Sequence, residues 1–265
     1  MFELVRRGTI ELFESGPMRI PGLQHSFLTR NYGVSPPPFK SLNFSVMEGD
    51  TEQNVDGNWE RLTGSTGIGA EQFLTLSQVH GDRILHVKSA SPRADVRSGL
   101  EYDAVISDAR GIALCIKTAD CAPVLLADRA LKAVAAVHAG WRGTSLQIAG
   151  KTAQAMFDSF GIEPACLLVA IGPSICCRCY EVDAPVRDAM TGVSGEELFV
   201  PCGPGKWKFD LPGANRLQLL KAGVPESNIF LSGLCTACRT DLFFSHRAER
   251  RTGRQLNFIM TDGQL

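Results

Sequence analysis

Residues 117–145 read KTADCAPVLLADRALKAVAAVHAGWRGTS. Two short apolar runs stand out, APVLLAD (122–128) and KAVAAVHAG (132–140), with the polar turn DRAL beginning between them. Each carries valine and is bounded by Asp or Gly, as expected for buried strands. The GWRG turn then opens a helical pattern, TSLQIAGKTAQAMFDSFG (144–161). Its spacing predicts one continuous helix with Leu146, Ala149, Ala153 and Met156/Phe157 on a single face, and Thr144 or Ser145 as N-cap.

The strand pattern extends outward on both sides, through FLTLSQVH (73–80), RILHVKS (83–89), DAVISD (103–108), IALCIKT (112–118) and CLLVAIG (166–172). Upstream, GVSPPPFKSLNFSV (33–46) reads as a proline-rich loop leading into a short strand. NVDGNWERLTGSTGI (54–68) fits a short helix stopped by glycine. Downstream, FDLPGANRLQLLKAGV (209–224) predicts a helix with Leu211, Ala214, Leu217 and Leu220 as its apolar stripe and Gly223 at its end. Strands of both kinds with a few helices indicate an α+β (α/β mixed) fold around mixed sheets. No linker is long or polar enough to divide the chain, so residues 1–265 are read as a single domain.

Composition excludes several classes. Hydrophobic residues make up 44% and charged residues 21%, with a formal net charge of −1. This is not the basic footprint of a nucleic-acid-binding protein. The apolar runs are too short to span a bilayer, and charges run through MFELVRRGTIELFESG where a secretory signal would be apolar. The expectation is a cytoplasmic protein with no membrane or nucleic-acid partner.

Chemistry begins with the polar interruptions. Cys121 and His138 sit where apolar runs meet turns, and His80 occupies the same place in LSQVHGDR. Two imidazoles and one thiolate suit Zn²⁺ with an open fourth position, as catalytic sites have. The intervals match no short metal signature, and a histidine at a strand end is more often simply hydrogen-bonded. Four residues after His138, AGWRGTS places Arg142 at a glycine-flanked helix start, a suitable setting for an oxyanion. Asp120 is read as structural, because strand alternation would point it away from Cys121.

Nine cysteines is a high count, and an odd number in a chain of this size does not look like a secreted disulfide framework. CTAC (235–238) is a CxxC, and CCRC (176–179) is a cysteine cluster read as contributing a CxC. Buried reduced thiols are the favoured reading of Cys235 and Cys238, and a second metal site is the alternative. Within DLFFSHRAERRTGRQ, Asp241 and His246 are candidates to orient groups near the site, though a solvated basic face explains the segment equally well.

With these residues assembled, the chain resembles the YfiH family, described both as laccase-type polyphenol oxidases and as purine nucleoside phosphorylases. The resemblance rests on FLTRNYGVSPPPFKSLNFS, LSQVHGDRI, DAVISD, KTADCAPVLLAD, VAAVHAGWRGT, AIGPSICCRCYEV, FDLPGANRLQL and CTACRTDLFFSHRAERRTGR, in order. It implies a mixed β-sandwich flanked by helices. It also implies a zinc site at His80, Cys121 and His138, the residues of QVHG, TADC and VHAGWRG. The implied reaction is cleavage of adenosine, inosine or methylthioadenosine by phosphate, with adenosine deamination as a further activity. Arg142, or Arg30, would then hold phosphate. Asn31-Tyr32 and the cysteine-rich CCRCYEV depart from the family pattern.

The older label implies a copper oxidase of phenols. Five histidines without an HxH pair cannot hold a multicopper array, though a single copper at the same three residues is feasible. A metal-free cysteine hydrolase, with Cys121 as nucleophile and His138 or His80 as base, is a third reading. The oligomeric state is left open.

Overall fold

In the computed structural model, residues 1–88, 101–193 and 195–262 are described. The two apolar runs pair as antiparallel neighbours, β8 (Ala122–Asp128) and β9 (Val134–Ala139), with Ala122 opposite Ala139 and Ala127 opposite Val134. They form the centre of a six-stranded sheet. β10 (Leu167–Ile171) and β14 (Ile229–Leu231) lie on one side, β6 (Ala104–Ser107) and β5 (Ile84–Val87) on the other. The predicted strand 83–89 therefore ends at Val87, and its last residue lies outside the described residues.

A second six-stranded sheet runs in the order β1 (Phe2–Arg7), β2 (Ile10–Ser15), β3 (Leu23–Leu28), β15 (Gln255–Thr261), β7 (Ala113–Thr118), β4 (Phe73–Thr75). A small third sheet contains β11 (Glu181–Asp183), β13 (Lys206–Phe209) and β12 (Phe199–Gly203).

Period-two alternation explains the layering. Leu125, Ala127, Val134 and Ala136 face Phe27, Leu114, Ile116 and Ile259 across the space between the large sheets. Their neighbours Val124, Leu126, Ala135 and Val137 point the other way. There they meet Ala149, Ala153 and Met156 of a helix at Ile148–Phe160 and Leu211, Ala214 and Leu219 of one at Leu211–Lys221. The outer face of the second sheet is covered by Leu62 and Trp59 of a helix at Glu52–Thr66, with Leu42 and Phe44. The result is a mixed β-sandwich flanked by helices, as expected. Strands buried on both faces account for the near-continuous apolar runs.

The helices are α1 (Glu52–Thr66), α2 (Trp141–Ser145), α3 (Ile148–Phe160), α4 (Ala184–Met190), α5 (Leu211–Lys221) and α6 (His246–Glu249). α1 begins two residues before the predicted segment because Thr51 caps it, accepting from the Asn54 amide, and Gly67 closes it at φ 73°.

Three expectations need correction. The predicted helix over 144–161 is two helices, broken at Gln147, which adopts φ 63° and ψ 36°. Leu146 is consequently exposed rather than on the buried face, and neither Thr144 nor Ser145 is an N-cap. FLTLSQVH is strand only as far as Thr75, and its end is a turn with His80 at φ 62°. The segment 42–46 is not a strand. Its backbone is held by Asn43, whose Nδ2 donates to the Ser45 carbonyl, and by the Phe44 amide on the Arg254 carbonyl.

Candidate metal centre

His138 lies within β9, opposite Pro123, and Cys121 immediately precedes β8. The hairpin thus fixes two donors side by side. The third, His80, arrives on the turn before β5, and its ring meets that of His138 edge-on at 4.8 Å. The three donor atoms lie within 4.8 Å of one another. His138 is buried, Cys121 half-buried and His80 exposed, so the cluster is rooted in the sheet and open on one side.

One residue that the sequence reading passed over organises the group. Asp103, fully buried just before β6, accepts the amides of Val79, His80 and Gly81 at 3.2, 2.9 and 2.7 Å. It also sits 2.7 Å from His138 Nδ1, and its carbonyl accepts the His138 amide. A carboxylate on Nδ1 places the proton there and leaves the Nε2 lone pair for a ligand. Burial would raise the Asp103 carboxyl, but His138 and the turn amides hold it below the ordinary range. In the sequence it is only the first letter of DAVISD. A carboxylate entering an apolar strand was the available signal.

The electrostatics favour a bound cation. Burial opposes ionisation of the Cys121 thiol, yet His138 and His80 bring it down to about 6. Burial likewise opposes the charged His138, while Cys121 and Asp103 raise it to about 9. A thiolate facing protonated imidazole is the pair that a divalent cation converts to ligands by displacing the imidazole proton. Space is reserved as well. A Cβ at Gly140 would lie 2.9 Å from His80 Cδ2 and 3.0 Å from Cys121 Sγ, so a side chain there would fill the cradle. One at Gly143 would lie 2.8 Å from the Gly81 carbonyl, which is how α2 approaches the His80 turn.

Around the cluster, Tyr180 has its phenol raised by burial and by the charge of Cys121, with Arg247 and Arg142 opposing. Arg247 lies over the Tyr180 ring at 5.1 Å. Neither Tyr180 nor Arg247 was singled out from sequence, although both lie in quoted motifs. Arg142 is exposed and stacks on Trp141 at 4.5 Å. Because α2 has five residues, any anion there depends on the guanidinium more than on a helix dipole.

Arg30 is placed differently. It is buried, donates to the carbonyls of Lys40, Thr240 and Phe243, pairs with Glu249 at 2.8 Å and packs over Phe244. Among the described residues, none of these contacts reaches the cluster. Asp241 pairs with Arg239 on the surface, and His246 is exposed at the start of α6.

Asp120 is structural, though for a reason other than alternation. It turns at φ 88°, and its carboxylate accepts from Thr236 Oγ1, Ser245 Oγ and the Arg247 amide at 2.6, 2.7 and 2.6 Å. A cavity of about 290 Å³ lies nearby, lined by residues that include Ser174, Cys176, Asp210 and Leu234. None of His80, Cys121 and His138 lines it; the ionisable groups with opposed shifts converge at the cluster instead.

The chain is thus an α+β protein, a helix-flanked mixed sandwich with a His₂Cys donor set that could hold a metal ion. Residues 24–262 match the family described as multi-copper polyphenol oxidoreductase laccase. The chain belongs to this laccase-domain family, the YfiH family. It is 39% identical over 243 residues to the purine nucleoside phosphorylase YlmD of Geobacillus stearothermophilus, covering 87% of each chain. It is 35% identical over 233 residues to the purine nucleoside phosphorylase YfiH of Escherichia coli, covering 87% of this chain and 90% of that one. The crystal structure of the Geobacillus YlmD superposes with a TM-score of 0.91 at 36% identity, covering 98% of both chains. That of a Bacillus licheniformis hypothetical protein YfiH superposes at 0.90, with 32% identity over 98% and 99% of the two chains. Among the described residues, no helix is long and apolar enough to cross a membrane.

Proposed function

We propose that the chain is a purine nucleoside phosphorylase, cleaving adenosine, inosine or methylthioadenosine with phosphate to the free base and ribose 1-phosphate. The observation that carries the reading is the His80–Cys121–His138 cluster, rooted on Asp103 and open on one side, in a chain similar along 87% of its length to a protein of that name. Zinc, if held by these three residues, would supply Lewis-acid charge to a phosphate oxygen or a water.

The remaining work belongs to the protein. Asp103 keeps both the His138 ring and the His80 turn in place. The Arg142 guanidinium offers two parallel donors to phosphate, bringing the nucleophile to the site where a cationic sugar develops. Tyr180, beneath Arg247, presents a ring beside Cys121 for the purine. Arg30 secures the loop at Lys40 to the segment at 240–249 in this scheme and does not bind phosphate. Adenosine deamination would use the same open position with water in place of phosphate.

A second reading has one observation in its favour. Cys121, His138 and Asp103 line up as nucleophile, base and orienting carboxylate, the arrangement of a cysteine hydrolase. His80 converging on the same thiol favours a ligand set over a nucleophile. The copper oxidase reading ranks behind both. His25 is buried on the Ser15 amide, His86 packs on Phe160 and His246 is exposed, so these three do not assemble a further copper group.

The test is base release from adenosine by metal-quantified protein, with and without inorganic phosphate. The expected result is phosphate-dependent adenine release that disappears in Cys121→Ala together with one equivalent of zinc. Arg142→Ala is expected to raise the KM for phosphate by roughly 10-fold or more, since a charge-assisted hydrogen bond contributes about 1.5–3 kcal/mol. Inosine formed without phosphate would move the assignment to deamination. Full turnover by metal-free protein would remove the zinc reading.

A further inference from the structure

The chain has a second set of donors that the proposed activity does not use. Cys176, Cys179, Cys235 and Cys238 come from two segments 59 positions apart, yet their four sulfurs all lie within 4.8 Å of one another. The spacing is CxxC in both segments, not the CxC read from Cys177 and Cys179. We propose that these four cysteines form a second, structural zinc site, independent of the reaction assigned to the first.

Geometry decides the type of metal group. Zn–S bonds of about 2.3 Å in a tetrahedron set neighbouring sulfurs roughly 3.8 Å apart. Separations within 4.8 Å, with Cys179 Sγ and Cys238 Sγ 3.3 Å apart, fit a single ion among four thiolates. An iron–sulfur cluster spreads its four thiolates over two or four irons and needs a wider ring of cysteines. All four cysteines are free, although a disulfide would require a sulfur distance near 2.05 Å. Four thiolates leave no open position for a substrate, so the site is closed in the way structural zinc sites are.

The backbone supports the same reading. The Cys176 amide donates to Cys235 Sγ at 3.3 Å, joining the two segments at the sulfurs themselves. Each CxxC closes as a turn, through the Cys179 amide on the Cys176 carbonyl and the Arg239 amide on the Cys235 carbonyl. Ser174 and Cys235 form a bridge beside them.

The site's place in the fold gives it a task. Thr236, between the two ligands of the second turn, donates to Asp120, and the Ile175 amide, one residue before Cys176, donates to the Asp120 carbonyl. Asp120 in turn precedes Cys121. A second zinc therefore fixes both segments that hold the Asp120 turn, and through it the position of a ligand of the first site.

Zinc content should be measured on protein purified under reducing conditions, for wild type and for Cys121→Ala. The proposal expects two equivalents per chain and one, respectively, with Cys238→Ser also retaining one. In parallel, native protein should be alkylated with and without a chelator and the modified cysteines mapped by mass spectrometry. Cys238 is exposed and would react freely as an ordinary thiol, as the exposed Cys202 does. Cys238 is expected to be protected until the chelator is added, while Cys202 reacts throughout. This arm uses the wild type, so it decides even if a serine variant fails to fold. Zinc-free Cys121→Ala, Cys238 as reactive as Cys202 without chelator, or recovery of the four cysteines as disulfides would each overturn the site. Failure of nucleoside turnover with both results intact would touch only the proposed function.

Discussion

At the scale of single residues, the three donors were legible and their organiser was not. His80, Cys121 and His138 announce themselves as polar residues at the ends of apolar runs. Asp103 does not, because its partners are three amides of a turn more than twenty positions earlier and a ring in another strand. Arg30 shows the converse: an arginine within a quoted motif whose contacts are carbonyls and Glu249. Asp103→Asn is expected to weaken zinc binding at the first site by about 10–100-fold, the usual effect of losing an outer partner of a ligating histidine. The asparagine keeps one acceptor oxygen but turns an NH₂ toward amides of the 79–81 turn. Competition with a chromophoric chelator measures it, and an unchanged affinity would show that the turn is held by other contacts.

Among the elements, the strands of the central hairpin were readable because both of their faces are buried. The break at Gln147 was not, because hydrophobic spacing continues across it. Its cause is tertiary. Gln218 Nε2 donates to the Thr144 carbonyl, and Asn215 bonds the Thr144 hydroxyl, so α5 takes groups that a continuous helix would have used. The chain then passes through a left-handed residue before resuming as α3. Since a non-glycine residue is strained there, Gln147→Gly is expected to stabilise the fold by about 0.5–1 kcal/mol, after the entropy of the unfolded glycine is offset. Urea midpoints at constant slope would report it. A fall in midpoint would mean that the Gln147 side chain contributes more than its backbone costs.

For the whole molecule, layer order depends on pairings that no local pattern encodes. The strands at 2–15 and 255–261 were not recognised: β1 and β2 pair with each other as a hairpin, whereas β15 finds its partners β3 and β7 far away in sequence. His25 of β3 illustrates the consequence for stability. It is buried, and its Nε2 accepts the Ser15 amide of β2 at 2.8 Å, so the fold requires it neutral. Burial lowers it from 6.5 to about 4. The unfolded chain therefore binds an extra proton between these values. Its contribution is fully present above pH 6.5 and is lost as pH falls toward 4, reaching about 3 kcal/mol. His25→Gln keeps an acceptor without a titration, and its unfolding free energy is expected to fall less steeply over that window by up to one proton. Equal slopes would place the charge sensitivity elsewhere.

The position of β15 bears on how the chain is made. Between β3 and β7, it joins the two halves of the second large sheet. Every strand of the other large sheet, from β5 to β14, has been translated before β15 begins. During synthesis the ribosome releases a chain whose site-bearing half can already pair, while β1–β3 wait with an open edge. Translation must reach residue 261 before that edge is closed, and a chaperone that shields nascent strands would be needed most in this interval.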